Sequence, residues 1–316
     1  MAQFIVRRFL QTVVVLVVVS FIAFSILHMM PGDPALIILG EDASQAQIDT
    51  LRLELGLDQP VLVQYARWFT NMLQGNFGRS ILYHEDVADL IATRLPITLH
   101  LGLVAFILST LIGIPAGILS AVRRGDVVDS LISVSANIGI AVPMFWLGIL
   151  GIYFFSLKLA WLPVQGYTSP LDDFWLSTKQ LIMPAACLTV VPIAVLARQT
   201  RSSMLEVLHQ DYVRTARSKG LRESAVVLGH GLKNAIIPVV TLLGLQARHL
   251  VGGSVLVETV FNVPGMGRLM VTGVFNQDFV IVQAGIIVIG IVVGMANLAV
   301  DISYGYFDPR IRYDSH

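Results

Sequence analysis

The stretch 211–234, "DYVRTARSKGLRESAVVLGHGLKN", decides how the rest of the chain is read. It is polar and basic, and it carries a glycine near its middle. The chain on either side is apolar for about the thickness of a membrane. Asp211 is placed to cap a short helix over 212–219, because its carboxylate accepts from a first-turn N–H. Gly220 predicts the end of that helix, in the left-handed conformation. A second helix from about Ser224 puts Val227, Leu228, Leu232 and Ile236 on one broadly apolar face. The expectation is a water-exposed helix–turn–helix elbow. A basic segment lying on anionic lipid would separate large apolar and Lys/Arg faces more cleanly. A simple connector rarely needs two helices and a breaker glycine. An elbow that docks another protein fits better.

Composition explains why such a segment is surprising. The 316 residues are 55% hydrophobic and 13% charged, with a mean hydropathy of +0.74. Soluble domains carry about 25% charged residues, so the chain reads as a polytopic membrane protein. Lys+Arg and Asp+Glu balance at 21 each, which points to no nucleic-acid partner. Cys187 is the single cysteine and sits in an apolar run with no neighbouring His or Cys. It reads as a small hydrophobe, not a disulfide or metal ligand. The N-terminal run Phe9–Met30 is longer than the ~7–15 residues of a signal-peptide core and has no small-residue cleavage site after it. It reads as a retained first span.

Six stretches approach the ~20 apolar residues a spanning helix needs: 9–30, 97–122, 131–157, 181–197, 236–257 and 280–302. The fourth is short. Pro115, Pro143, Pro184 and Pro192 fall within them. Prolines in membrane helices are tolerated where neighbours satisfy the freed carbonyls, and here they serve either a pathway or packing. With the N-terminus inside, the inner segments 1–8, 123–130, 198–235 and 303–316 hold 13 of the 21 basic residues, Arg310 and Arg312 among them. That bias sets the predicted orientation, with both termini cytoplasmic. The outer segment 31–96 predicts a helical hairpin. Its first helix is capped near Ser44 and carries Ile48, Leu51 and Leu55, and its second ends at Gly75.

Chemistry is scarce. There is no phosphate-binding G-x-x-x-x-G-K-[ST] loop and no G-x-S-x-G elbow. "HEDVADL" at 84 has Ala88 where a zinc motif needs its second His. The spans are nearly free of carboxylates, with Glu258 and Asp301 at span ends. Arg248 and His249 stand near the middle of the fifth predicted span, where a charge is costly and faces protein or water. They either line a path, meeting a negative group on a cargo, or pair with a neighbouring helix or partner subunit. Glu258 joins them as a candidate path residue.

The 211–234 stretch resembles the cytoplasmic "EAA" loop of binding-protein-dependent ABC importer permeases. That loop reads E-A-A, three residues, Gly, nine residues, I-x-L-P. Alignment on Gly220 places Arg214-Thr215-Ala216 at E-A-A and His230-Gly231-Leu232-Lys233 at I-x-L-P. Ala216, Gly220 and Leu232 match. The dipeptide/oligopeptide branch departs from the pattern in the same way, and this chain shares its "DYVRTARSKG" and "NAIIP" at 234–238. Further branch features are "MPGDPA" at 30–35, "ELGLDQP" at 54–60, "GIPAG" at 113–117, "TRSSMLEVL" at 200–208, "VET" at 257–259, "PGMGRL" at 264–269 and "DPRIRY" at 308–313. The resemblance covers nearly the whole chain.

It implies an all-α membrane protein with six transmembrane helices of the type I ABC importer permease fold and an external helical hairpin between spans one and two. Segment 1–93 would form the first span and external subdomain, and 94–316 the transport domain with its coupling loop at 198–235. The implied function is the permease of an ATP-driven importer of di- or oligopeptides in a bacterial inner membrane. Nickel-chelate, glutathione or another small solute are the alternative cargoes, and an ATP-independent carrier is a more distant reading. The implied partners are a second homologous permease, two cytoplasmic ATPases and an extracytoplasmic substrate-binding protein. ATP and Mg would be bound by the ATPases, with no cofactor on this chain. The implied coupling residues are Asp211, Tyr212, Arg214, Ala216, Arg217, Lys219, Gly220, Leu221 and Leu232.

Overall fold

The computed structural model describes residues 2–29, 44–247, 252 and 254–307. Arg248, His249, "MPGDPA", "DPRIRY" and the two C-terminal arginines lie outside the described residues. The described chain is almost wholly helical. Five helices are long and apolar enough to cross a membrane: α1 (Ala2–Met29), α4 (Val87–Val122), α7 (Phe174–Leu208), α9 (Glu223–Ala247) and α12 (Phe279–Phe307). The broken pair α5 (Val127–Ala141) and α6 (Met144–Lys158), bent by 100°, makes a sixth crossing if its two arms count as one span. Pro143 sits at that break. Its ring forbids the helical hydrogen bond and pushes Val142 to an extended conformation, φ −83° and ψ 127°. Shorter helices are α2 (Gln45–Leu55), α3 (Val61–Leu73), α8 (Asp211–Ser218), α10 (Val255–Val260) and α11 (Met266–Phe275).

One expected boundary moves. The fourth span is not short, because α7 continues helically through Ser177–Gln180 at one end and Arg198–Arg201 at the other. Polar residues end an apolar window but not a helix. The described part of the fifth span ends at Ala247, and Glu258 belongs to the short helix α10.

The chain divides into two compact units. One comprises Ala2–Leu95 with Leu269–Gly294. Within it Ser44 and Gln47 form a reciprocal capping box at the start of α2. Ile48 is buried as expected, and α3 ends before Gly75, which takes φ +84°. The α3 ring of Tyr65 meets Phe21 and Phe24 of α1 edge-on, and its hydroxyl lies 2.8 Å from Ser20 Oγ. The buried Asp278 carboxylate accepts from Ser80 Oγ at 2.6 Å and from the Leu82 N–H at 3.0 Å. It pins the turn that precedes α4.

The other unit comprises Pro96–Arg268 and the chain from Met295 onward. Here α7 is the central post, packed by α5, α6, α9 and α10, with 56% of its apolar window buried. Cys187 is buried in its core among Leu101, Leu181, Val257 and Phe261. A Cβ on Gly117 of α4 would sit 2.5 Å from the Ala197 carbonyl oxygen of α7, so only glycine permits that backbone approach.

Candidate functional site

The elbow is built as α8, a glycine turn and the start of α9. Helix α8 is amphipathic in the strict sense: Val213 and Ala216 are buried at 0% and 6%, and every other residue of it is exposed. The buried pair joins Met204 and Leu208 of α7, Ala121 of α4, and Val226, Val227 and Ala235 of α9 in one apolar cluster. Full burial of a valine contributes about 1.5–3 kcal/mol, so α8 is fixed to the helices beneath it. Gly220 takes φ +76° with open space around it, and its N–H closes on the Arg217 carbonyl at 2.9 Å. The turn therefore needs glycine for its backbone angle. Arg217 pairs with Glu223 across the turn at 2.7 Å and 3.2 Å, which raises its guanidinium pKa further. Both side chains are exposed, so the pair adds about 0–1 kcal/mol and mainly sets the turn's shape. Asn234 donates to the Tyr212 hydroxyl at 2.9 Å, a second tie between α8 and α9.

Several expected roles are corrected by this geometry. Gln210, not Asp211, occupies the cap position of α8, and it makes no side-chain cap bond. Asp211 lies in the first turn and faces Arg214 at 3.6 Å, both well exposed. Val227 is buried but Leu228 is 57% exposed, because residues 226–232 are π-helical and the wider turn rotates Leu228 off the apolar face. Ala216 points inward to its own support. The outward surface includes Tyr212, Arg214, Lys219 and Leu221 beside the exposed Asp211, with Leu221 44% exposed at the tip. Leu232 is half-buried against the supporting cluster.

Beside the elbow lies an ion pair that sequence reading passed over. Arg201 of α7 donates to Asp129 of α5 through Nε at 2.7 Å and Nη2 at 2.8 Å. Ser120 of α4 donates to the same carboxylate, and the Gly125 N–H donates to it at 3.0 Å. One carboxylate thus ties three helices and the α4–α5 turn.

Glu258 is 0% exposed. Thr98 Oγ1 and Ser254 Oγ each donate to its Oε1 at 2.7 Å, and the Arg268 N–H donates to Oε2 at 3.0 Å. Thr98 Oγ1 also accepts from the Met266 N–H at 2.8 Å. In this conformation Glu258 lines no open space; it knots the 261–268 segment to the start of α4. A cavity of about 470 Å³ does open between α4, α6, α7 and α9, with walls that include Phe106, Met144, Leu188, Val195 and Leu245. Gln246 is on its wall and donates to the Pro192 carbonyl at 3.3 Å.

The profile of the binding-protein-dependent transport system inner membrane component matches residues 113–313, and that of the same component's N-terminal region matches residues 1–102. The chain belongs to the binding-protein-dependent transport system inner membrane component family. Full-length relatives agree. The "Probable peptide ABC transporter permease protein y4tP" of Sinorhizobium fredii is 42% identical over 313 residues, 99% of this chain and 100% of that one. The oligopeptide permease AppB of Bacillus subtilis is 41% identical over the same shares, and the glutathione permease GsiC of Escherichia coli is 43% identical. Among solved structures, the inward-facing MetNI methionine ABC transporter superposes with a TM-score of 0.56 at 20% identity, covering 69% of this chain and 96% of that one. That likeness supports the fold. Membership in the inner membrane component family makes this an integral membrane transport subunit, with five to six apolar crossings.

Within the family frame, the residues predicted from the loop do come together on one elbow, Arg248 and His249 lie outside the described residues, and Glu258 stands apart as a buried anchor. Asp129, Arg201 and Thr98 were missed. Their signal in the sequence is faint: one acid beside the turn at 123–126 and one arginine late in an apolar helix.

Proposed function

We propose that this chain is a permease subunit of an ATP-driven importer of peptides, energised by separate cytoplasmic ATPases that dock on the outward surface of α8. The observation that carries the reading is the form of the elbow. Its inner face is fixed to α7 and α9, while Tyr212 and Leu221 are presented to solvent beside Arg214 and Lys219, with Asp211 paired to Arg214. A lever must be stiff toward its own chain and open toward its partner, and α8 is both. Peptide cargo is supported by the names of the full-length relatives. The inner membrane, inside termini, a second permease and an extracytoplasmic binding protein follow from the same reading. Glu258 is an anchor of the outer end in this scheme, and the apolar cavity is part of the path. Glutathione is the second reading, favoured by the 43% identity to GsiC.

The double variant Arg214→Glu, Leu221→Glu tests the docking. It is expected to insert normally and to lose co-purifying ATPase subunits more than tenfold. Recovery of ATPase at the wild-type level overturns the docking surface. Uptake of labelled trialanine against labelled glutathione by the reconstituted complex decides the cargo.

A further inference from the structure

We propose that Asp129 and Arg201 form a transmission clamp that makes the α4–α5 turn move as one body with α7 when α8 is displaced. The inference rests on α8 being the docking site, and it assigns a positioning role to a pair that nothing in the docking surface includes.

The geometry has three parts. First, α7 passes into α8 through only His209 and Gln210, so a displacement of α8 reaches α7 directly. Second, the same apolar cluster that seats Val213 and Ala216 includes Ala121, at the end of α4. Apolar contact alone permits sliding, because dispersion forces are non-directional. Third, the clamp supplies direction. The Arg201 guanidinium meets Asp129 with two parallel bonds, and the remaining carboxylate capacity is filled by Ser120 of α4 and the Gly125 N–H of the turn, with Ser133 Oγ at 3.5 Å. Bidentate pairs fix orientation as well as distance. The Asp129 side chain is 8% exposed, so water competes little for it.

An ion pair of this kind is a poor investment for stability alone, since an apolar pair of similar volume often does as well. It is a good device for holding register between helices that are pushed. The clamp also joins the two arms of the α5–α6 break, through α5, to the driven helix. Displacement of α8 is thereby delivered to the broken span that borders the cavity through Met144.

The test uses the complete transporter with its ATPases, in lipid, on a Cys187→Ala background. Spin labels are placed at Arg124→Cys on the turn and Glu206→Cys on α7, both exposed. With the clamp intact, the distance between them is expected to stay constant between nucleotide-free and vanadate-trapped states. The comparison variant is the uncharged pair Asp129→Asn, Arg201→Met, which leaves no lone buried charge. There the distance is expected to change or broaden on trapping, and uptake per ATP hydrolysed is expected to fall at least tenfold. Arg201→Lys, with one bond in place of two, is expected to lie between. A constant distance in the uncharged pair overturns the clamp. So does a loss of ATP hydrolysis and uptake in equal proportion, which is the mark of a purely structural role. Failure of the unaltered complex to trap vanadate would overturn the ATPase-docking reading instead, a result that is separable from either.

Discussion

At the scale of single residues, the molecule invests its few buried polar groups in joints. Arg201 is the clearest case for a stability measurement. Arg201→Met leaves Asp129 buried with no cation, and removing one partner of a buried pair costs about 3–5 kcal/mol. A clear fall in unfolding temperature of the detergent-solubilised protein is expected. Adding Asp129→Asn to that variant is expected to recover most of the loss, since no charge is then left uncompensated. If the double variant is as unstable as the single one, the packing of Arg201's alkyl chain matters and its charge does not. Gly220 makes a different demand. At φ +76° a Cβ costs about 1–2 kcal/mol through its own backbone, even though nothing crowds it.

At the scale of elements, the elbow converts these residue costs into a mechanical part. Gly220→Ala is expected to loosen the turn while α8 stays seated, and to lower uptake modestly. Gly220→Pro removes the N–H that closes on Arg217 and excludes the required angle, so uptake is expected to vanish with the chain still inserted. Ala216→Trp acts otherwise, because Ala216 faces Val213's cluster: it is expected to unseat α8 and expose the elbow to protease. Resistance of that variant to limited proteolysis at wild-type level would show that α8 is not held by its inner face. The elbow as a helix–turn–helix was legible in the sequence because Gly220 and the flanking polarity are local signals. Leu228's outward position was not, since a π-helical turn has no simple sequence mark. The length of α7 was hidden for a related reason: an apolar window measures lipid preference, whereas a helix runs on until its backbone is stopped. The joints at Asp129, Glu258 and Asp278 were illegible because each takes one partner far away in sequence, Arg201, Thr98 and Ser80 respectively, and periodicity reports only neighbours.

At the scale of the whole molecule, apolar surface faces outward where a soluble protein would bury it. In α1 only 6% of the apolar window is buried, and Val14 and Val15 are 62% and 59% exposed. Such a helix needs lipid or another apolar surface around it. Val15→Arg, near the middle of that span, is expected to cost about 2.5–3.5 kcal/mol of insertion free energy. Membrane-fraction yield should drop accordingly, while Val15→Leu leaves it unchanged. Equal yields for the two would place α1 away from the hydrocarbon. The crossings themselves were read from the sequence with little error in number, because length and hydropathy are sums over many residues and tolerate local surprises.

The Glu258 knot has a consequence for the order of biosynthesis. Thr98 and Glu258 are 160 residues apart, and Ser80 waits 198 residues for Asp278. At a synthesis rate of ~5–20 residues per second, Thr98 enters the membrane about 8–32 s before its carboxylate partner exists. During that interval the start of α4 must be sheltered by lipid, by the insertion machinery or by a chaperone. A chain cut short before 258 lacks the carboxylate that closes this joint, so these two late bonds form only after most of the chain has been made.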